Sequence, residues 1–120
     1  MPVAISHSVR IRFGASHLIE GHPTCGRMHG HQYTVVMTFG GFPNREAWGS
    51  PVTYADAQTV GSIVDEFRDR HINDMLPAGF PSVDGLASYL LERTRMHGVT
   101  KVEVHESDTS VTGTAEYIDR

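Results

Sequence analysis

Residues 17–31 read His-Leu-Ile-Glu-Gly-His-Pro-Thr-Cys-Gly-Arg-Met-His-Gly-His, and they continue directly into Gln-Tyr-Thr-Val-Val-Met-Thr-Phe at 32–39. The second segment is rich in β-branched and aromatic residues, which predicts a strand over about residues 31–39. Side chains alternate along a strand, so His29 and His31 at its start can face the same point. Because zinc sites are commonly built from such imidazoles, the pair predicts a metal site at this end of the strand.

The chain before this stretch predicts a partner strand and a third ligand. Apolar residues occupy alternate positions over residues 6–13, as in a half-buried antiparallel strand. His17 lies just past the end of that predicted strand. If the two strands pair as a wide hairpin, His17 reaches the same end of the sheet as His29 and His31. Four of the other five histidines lack such spacing and are expected to be ordinary residues: His7, His22, His97 and His105.

The rest of the chain predicts two helices followed by two strands. Apolar residues at three- and four-residue spacing predict a helix from Tyr54 to His71, with Asp56 as its N-cap. Ser82 is expected to cap a second helix that ends near Gly98. Alternation then predicts a third strand over residues 99–106, and residues 114–118 can form a fourth.

The order ββααββ predicts an α+β fold, in which two helices cover one face of a four-stranded antiparallel sheet. At 120 residues, the chain is expected to be a single domain spanning 1–120. The other face of the sheet would be left partly bare, which favours a homo-oligomer.

Composition narrows the function. The net charge is −4 and the only lysine is Lys101, so nucleic-acid binding is not expected. A single cysteine excludes a disulfide within the chain and favours a reducing compartment. No segment resembles a signal peptide or approaches the ~20 apolar residues of a membrane span. The sequence therefore predicts a soluble cytoplasmic protein that binds no membrane.

Cys25 has three possible roles on the residues alone. It can be a small core residue, the fourth ligand of a closed structural zinc site, or a reactive thiol beside an open catalytic one. A thiolate in the last setting can act as a base. The sequence chemistry does not separate the second role from the third.

Three groups of residues carry a resemblance to a known family. Phe13-x-Ala15-x-His17, Glu20-Gly21-His22 and Cys25-Gly26-Arg27-Met28-His29-Gly30-His31 resemble the zinc-site signature of the 6-pyruvoyl-tetrahydropterin synthase superfamily. The spacing of three residues between Cys25 and His29 is similar to that in the bacterial branch of the family that forms the 6-carboxy product. That branch serves the 7-deazaguanine (queuosine) pathway. Weaker likeness extends over residues 72–74, 81–87 and 102–106.

The resemblance implies a tunnelling fold (T-fold), and trimers or hexamers whose sheets join into a barrel with a pterin site at the subunit interface. It implies that His17, His29 and His31 bind Zn²⁺ and that Cys25 is the general base. It further implies that Glu106 binds the guanidine-like edge of the pterin through paired charge-assisted hydrogen bonds. From the residues alone, Glu106 would be a solvated strand residue.

One segment departs from the family pattern. The family usually places an adjacent Asp-His pair before its Leu-Asn-Asp, whereas this chain has Asp69 and His71 separated by Arg70. Within a helix, residues two apart point about 200° away from each other, so both could serve one site only if the helix has ended there. Either His71 and Asp69 supply the second catalytic proton-transfer group, or that group is missing.

The function implied by the resemblance is a zinc-dependent lyase reaction. It converts 7,8-dihydroneopterin triphosphate to 6-carboxy-5,6,7,8-tetrahydropterin, with release of acetaldehyde and triphosphate. Pyruvoyl formation is the alternative within the same enzyme class. The altered Asp69 to His71 segment also leaves open a zinc- and pterin-binding module without turnover.

Overall fold

The computed structural model describes residues 3–24, 26–76 and 80–118. In chain order the main elements are β1 (Ile5–His17), β2 (His29–Gly41), α1 (Tyr54–Asp65), α2 (Val83–Thr94), β3 (Val99–Glu106) and β4 (Thr112–Glu116). Short 3₁₀ helices lie at Arg45–Ala47, Ile72–Asp74 and Arg95–His97. Among the described residues, no helix is long and apolar enough to cross a membrane.

The four strands form one antiparallel sheet in the order β1-β2-β3-β4, and both helices pack on the same face. The strands contribute alternate apolar side chains to the core, and the helices contribute residues at three- and four-residue spacing. Fully buried members include Phe13, Tyr33, Val35, Met37, Val102, Val104, Val60, Val64, Leu86 and Leu90. The predicted α+β fold with two helices on one face of the sheet is confirmed.

The opposite face of the sheet presents mostly polar side chains. Arg12 pairs with Thr34 across β1 and β2, and Thr34 pairs with His105 across β2 and β3. These residues line an open cleft of about 700 Å³ together with Arg10 and Thr112. The uncovered face is therefore hydrophilic rather than a bare apolar surface.

The predicted start of α1 at Tyr54 is confirmed, but the predicted N-cap and the predicted end of the helix are wrong. The N-cap is Thr53, whose Oγ1 accepts a hydrogen bond from the Asp56 N–H at 3.1 Å, so Asp56 lies in the first turn. The helix ends at Asp65 rather than continuing to His71. Asp69 has a φ of 58°, a left-handed conformation that an α-helix does not include. The Asp69 N–H donates instead to the Gly14 carbonyl on β1, at 2.7 Å.

Strand β3 has the predicted bounds, whereas β1, β2 and β4 are longer than predicted or shifted. β1 continues to His17 and β2 begins at His29, because backbone pairing extends through residues 14–17 although they have little strand propensity. β4 spans Thr112–Glu116 instead of residues 114–118. Gly113 allows β4 to pack closely against the start of α2, since a Cβ there would lie 2.6 Å from the Val83 carbonyl carbon.

Candidate metal and substrate site

Three histidines converge at one end of the sheet. His17 and His29 are paired across β1 and β2, and His31 is paired with Ala15. The three imidazoles lie on the same face as the core, with ring centroids 4.5, 4.8 and 5.1 Å apart. One ring nitrogen of each histidine lies within 4.8 Å of those of the other two. The structure thus brings together the three predicted ligands in a cluster that could hold a metal ion.

Hydrogen bonds to backbone carbonyls orient two of these rings. His17 Nδ1 lies 2.7 Å from the Pro81 carbonyl oxygen, and His29 Nδ1 lies 2.6 Å from the Arg27 carbonyl oxygen. A carbonyl oxygen only accepts, so Nδ1 must carry the proton in both rings. The Nε2 lone pair is then available to a metal.

His17 is the most deeply buried member of the cluster, with 1% of its surface exposed. Its Nε2 atom is buried and makes no hydrogen bond within the described residues. Burial lowers the pKa of His17, and the neighbouring His29 and His31 lower it further, while the hydrogen bond to Pro81 and the nearby Glu106 oppose this. A neutral buried imidazole with an unsatisfied nitrogen fits a metal ligand, because a bound ion supplies the missing partner.

Glu106, the last residue of β3, faces the histidine cluster. Its Oε1 lies 3.7 Å from His31 Nε2, and its Oε2 lies 4.0 Å from His17 Nε2. The Thr109 hydroxyl donates to Oε1 at 2.9 Å, and the glutamate side chain is only 10% exposed. The expectation of a solvated strand residue is therefore wrong. This carboxylate can accept hydrogen bonds from a ligand bound beside the cluster, or itself contact a metal.

Asp69 and His71 lie elsewhere, along the outer edge of β1. Ser16 and His71 form a parallel β-bridge, and the Ser16 hydroxyl lies 2.9 Å from His71 Nδ1. Ser16 faces the opposite side of the sheet from His17, because neighbouring strand residues alternate. Helix α1 has ended before Asp69, so the separation of about 200° expected within a helix does not keep Asp69 and His71 from serving one site. The structure does not place His71 in the histidine cluster.

Asp69 nevertheless reaches a cleft next to the cluster. An open cleft of about 540 Å³ is lined by Asp69 and Arg70 together with His31 and Asp108. Cys25 lies outside the described residues, and its predicted role as the base stays a prediction.

Asp108 is a site residue that sequence reasoning missed. Both of its carboxylate oxygens lie 3.0 Å from His31 Nδ1, and this hydrogen bond lowers the pKa of Asp108. It lies in the turn between β3 and β4, where an aspartate is ordinary. Its position two residues after Glu106 gives no spacing signal, so only the folded turn reveals the contact.

Comparisons with known proteins agree with this geometry. A family model described as 6-pyruvoyl tetrahydropterin synthase matches residues 6–116. A Methanocaldococcus jannaschii protein provisionally named 6-carboxy-5,6,7,8-tetrahydropterin synthase is 37% identical over 59 residues, which are 49% of this chain and 34% of that protein. The match therefore spans about a third of the length of this curated relative.

Solved structures show the same fold at low sequence identity. Caenorhabditis elegans 6-pyruvoyl tetrahydropterin synthase has a TM-score of 0.82 at 16% identity, covering 98% of both chains. The Plasmodium falciparum enzyme of that name has a TM-score of 0.65 at 13% identity, covering 95% of this chain and 99% of that one. Since the family model spans residues 6–116 of 120, the resemblance seen in the sequence is confirmed, and the chain belongs to the 6-pyruvoyl tetrahydropterin synthase family.

Proposed function

We propose that this chain is a zinc-dependent lyase that converts 7,8-dihydroneopterin triphosphate to 6-carboxy-5,6,7,8-tetrahydropterin, releasing acetaldehyde and triphosphate. This reaction would be an early step of 7-deazaguanine (queuosine) biosynthesis. The observation that carries the proposal is the histidine cluster, whose ring nitrogens lie within 4.8 Å of one another beside Glu106. Family membership and the three-residue spacing from Cys25 to His29 support the choice of reaction.

His17, His29 and His31 would hold the zinc ion. Three protein ligands leave a position for substrate, as in catalytic rather than structural zinc sites. Bound zinc would supply Lewis-acid polarisation of the substrate side-chain hydroxyls. The hydrogen bonds from Nδ1 of His17 and His29 to backbone carbonyls restrain both rings and leave Nε2 of each as the atom that would bind the ion.

Glu106 would bind the pterin. An ionised carboxylate accepts two parallel N–H donors, which matches the guanidine-like edge of that ring. The hydroxyl of Thr109 already restrains one carboxylate oxygen. The Glu106 side chain therefore loses less conformational entropy when substrate binds. The 10% exposure of the Glu106 side chain also strengthens charge-assisted hydrogen bonds by limiting competition from water.

Proton transfer would use Cys25 as the base, with Asp69 and His71 as the second proton-transfer pair. β1 is an edge strand, and residues 69–71 lie along that edge. If sheets of neighbouring protomers join at their edges in a trimer or hexamer, Asp69 and His71 would lie at the contact. They would then be available to a site formed between two protomers.

Product analysis tests the proposal. Purified protein loaded with zinc is mixed with 7,8-dihydroneopterin triphosphate, and the products are identified by mass spectrometry. We expect 6-carboxy-5,6,7,8-tetrahydropterin, with acetaldehyde and triphosphate in equal amounts. A pyruvoyl product would instead assign the alternative reaction of the family. Binding without turnover would contradict the enzyme proposal and favour a pterin-binding module.

Glu106→Gln is expected to raise KM by roughly 10- to 100-fold and leave the zinc content unchanged. The amide loses the negative charge and turns an N–H₂ group toward the pterin donors, and a hydrogen bond to a charged group contributes about 1.5–3 kcal/mol. Steady-state kinetics and metal analysis measure both quantities. Glu103→Gln is the matched control, since alternation places Glu103 on the opposite face of β3. Loss of zinc with Glu106→Gln would identify Glu106 as a metal ligand instead.

A further inference from the structure

We infer that Asp108 is a positioning residue that holds His31 in its metal-binding orientation and thereby sets the affinity of the site for zinc. This inference rests on the metal site of the proposed function. It assigns a role to a residue of the β3–β4 turn whose carboxylate meets the histidine cluster through His31.

The contact between the two side chains is specific. Both carboxylate oxygens of Asp108 lie 3.0 Å from His31 Nδ1. An ionised carboxylate only accepts hydrogen bonds, so Nδ1 is the protonated ring nitrogen and Nε2 carries the lone pair. His31 Nε2 is the atom that faces Glu106, at 3.7 Å. Asp108 therefore selects the tautomer whose free nitrogen points toward the cluster.

Asp108 differs in kind from the supports of the other two ligands. His17 and His29 donate to backbone carbonyls, at 2.7 and 2.6 Å. Of the three supports in the described structure, Asp108 alone is a side chain and alone bears a charge. A carboxylate behind a ligating histidine raises the basicity of the ring, and removal of such a partner typically weakens metal binding by about 10- to 100-fold.

The turn that carries Asp108 is itself held in place. The Ser107 N–H donates to the Gln32 carbonyl at 2.7 Å, next to His31 on β2. On the other side of Asp108, the Thr109 hydroxyl donates to Glu106 at 2.9 Å. The position of the Asp108 carboxylate is thus determined by the strand that bears His31, although the side chain is half exposed.

Zinc affinity measured in competition with a chromogenic chelator tests the inference without reference to activity. We expect Asp108→Ala to bind zinc about 10- to 100-fold more weakly than the unchanged protein. Asp108→Asn keeps an acceptor oxygen and should recover part of the affinity. Glu103→Ala removes the same charge from the opposite face of the neighbouring strand and should leave affinity unchanged. Thermal melts of all variants without metal should coincide, because Asp108 is half exposed.

The ring nitrogens of His31 provide a second readout. In ¹⁵N-labelled protein without metal, the nitrogen shifts should identify Nδ1 as the protonated atom at a pH where the ring is neutral, and Asp108→Ala should weaken that preference. Equal zinc affinities of Asp108→Ala and the unchanged protein would overturn this inference and leave the proposed function standing. If the unchanged protein takes up no zinc, the proposed function fails and the inference fails with it.

Discussion

His29→Ala is expected to abolish stoichiometric zinc binding and to reduce turnover by roughly 10³-fold or more, since a Lewis acid supplies several kcal/mol of transition-state stabilisation. Two remaining histidines give too few ligands for a stable zinc site. His29 is the best of the three for this test because it is partly exposed, whereas His17 is buried and its loss would also leave a cavity in the fold.

Metal analysis after dialysis and steady-state kinetics measure the two effects of this substitution. His7→Ala is the matched control, because it removes an exposed imidazole from the far end of β1. The control should retain full zinc and full turnover. A His29→Ala protein that keeps its zinc would show that the cluster is not the metal site.

Cys25→Ala should reduce turnover by about 10²- to 10⁴-fold, the range typical of a lost general base, and leave zinc content unchanged. The expectation follows from an open zinc site of three histidines, in which the thiol is not a ligand. Kinetics and metal analysis on the same preparation separate the two roles. If zinc is lost together with Cys25, the site is a closed structural one with four ligands. Unchanged turnover with full zinc would contradict the role of Cys25 as the base and would leave only its role as a small core residue.

Much of the fold could be predicted because the strands and helices carry clear periodicity. The segment 99–106 alternates from Val102 onward and is a strand with the predicted bounds. The end of α1 could not be predicted in the same way, because helical periodicity gives no information about backbone hydrogen bonds to a distant segment. The helix ends at Asp65, and Asp69 then takes a left-handed conformation and donates a hydrogen bond to Gly14 of β1, a contact between distant segments.

The site was predictable to the extent that it depends on strand geometry. The spacing of His29 and His31 is local, and the position of His17 follows once β1 and β2 pair. The burial of Glu106 was also accessible, since it shares the parity of Val102 and Val104 along β3. Strand alternation thus placed Glu106 on the core side of the sheet, although its charged residue type suggested a solvated position.

Contacts made by turns and edges escape such reasoning. Asp108 meets His31 only because the β3–β4 turn folds back beside β2, and residues 69–71 lie on β1 only because the helix stops early. Neither event leaves a periodic pattern. The location of Asp69 and His71 therefore depends on tertiary structure that no local sequence rule describes.

The different supports of the ligands have a consequence for how this protein can evolve. The acceptors for His17 and His29 are main-chain carbonyls of Pro81 and Arg27, which any amino acid at those positions would also provide. Mutation can therefore change those side chains without removing the hydrogen bond. The acceptor for His31 exists only while position 108 encodes a suitable side chain. If the proposed function holds, mutation of position 108 alone can therefore change the metal affinity of the cluster without changing any of its three histidines.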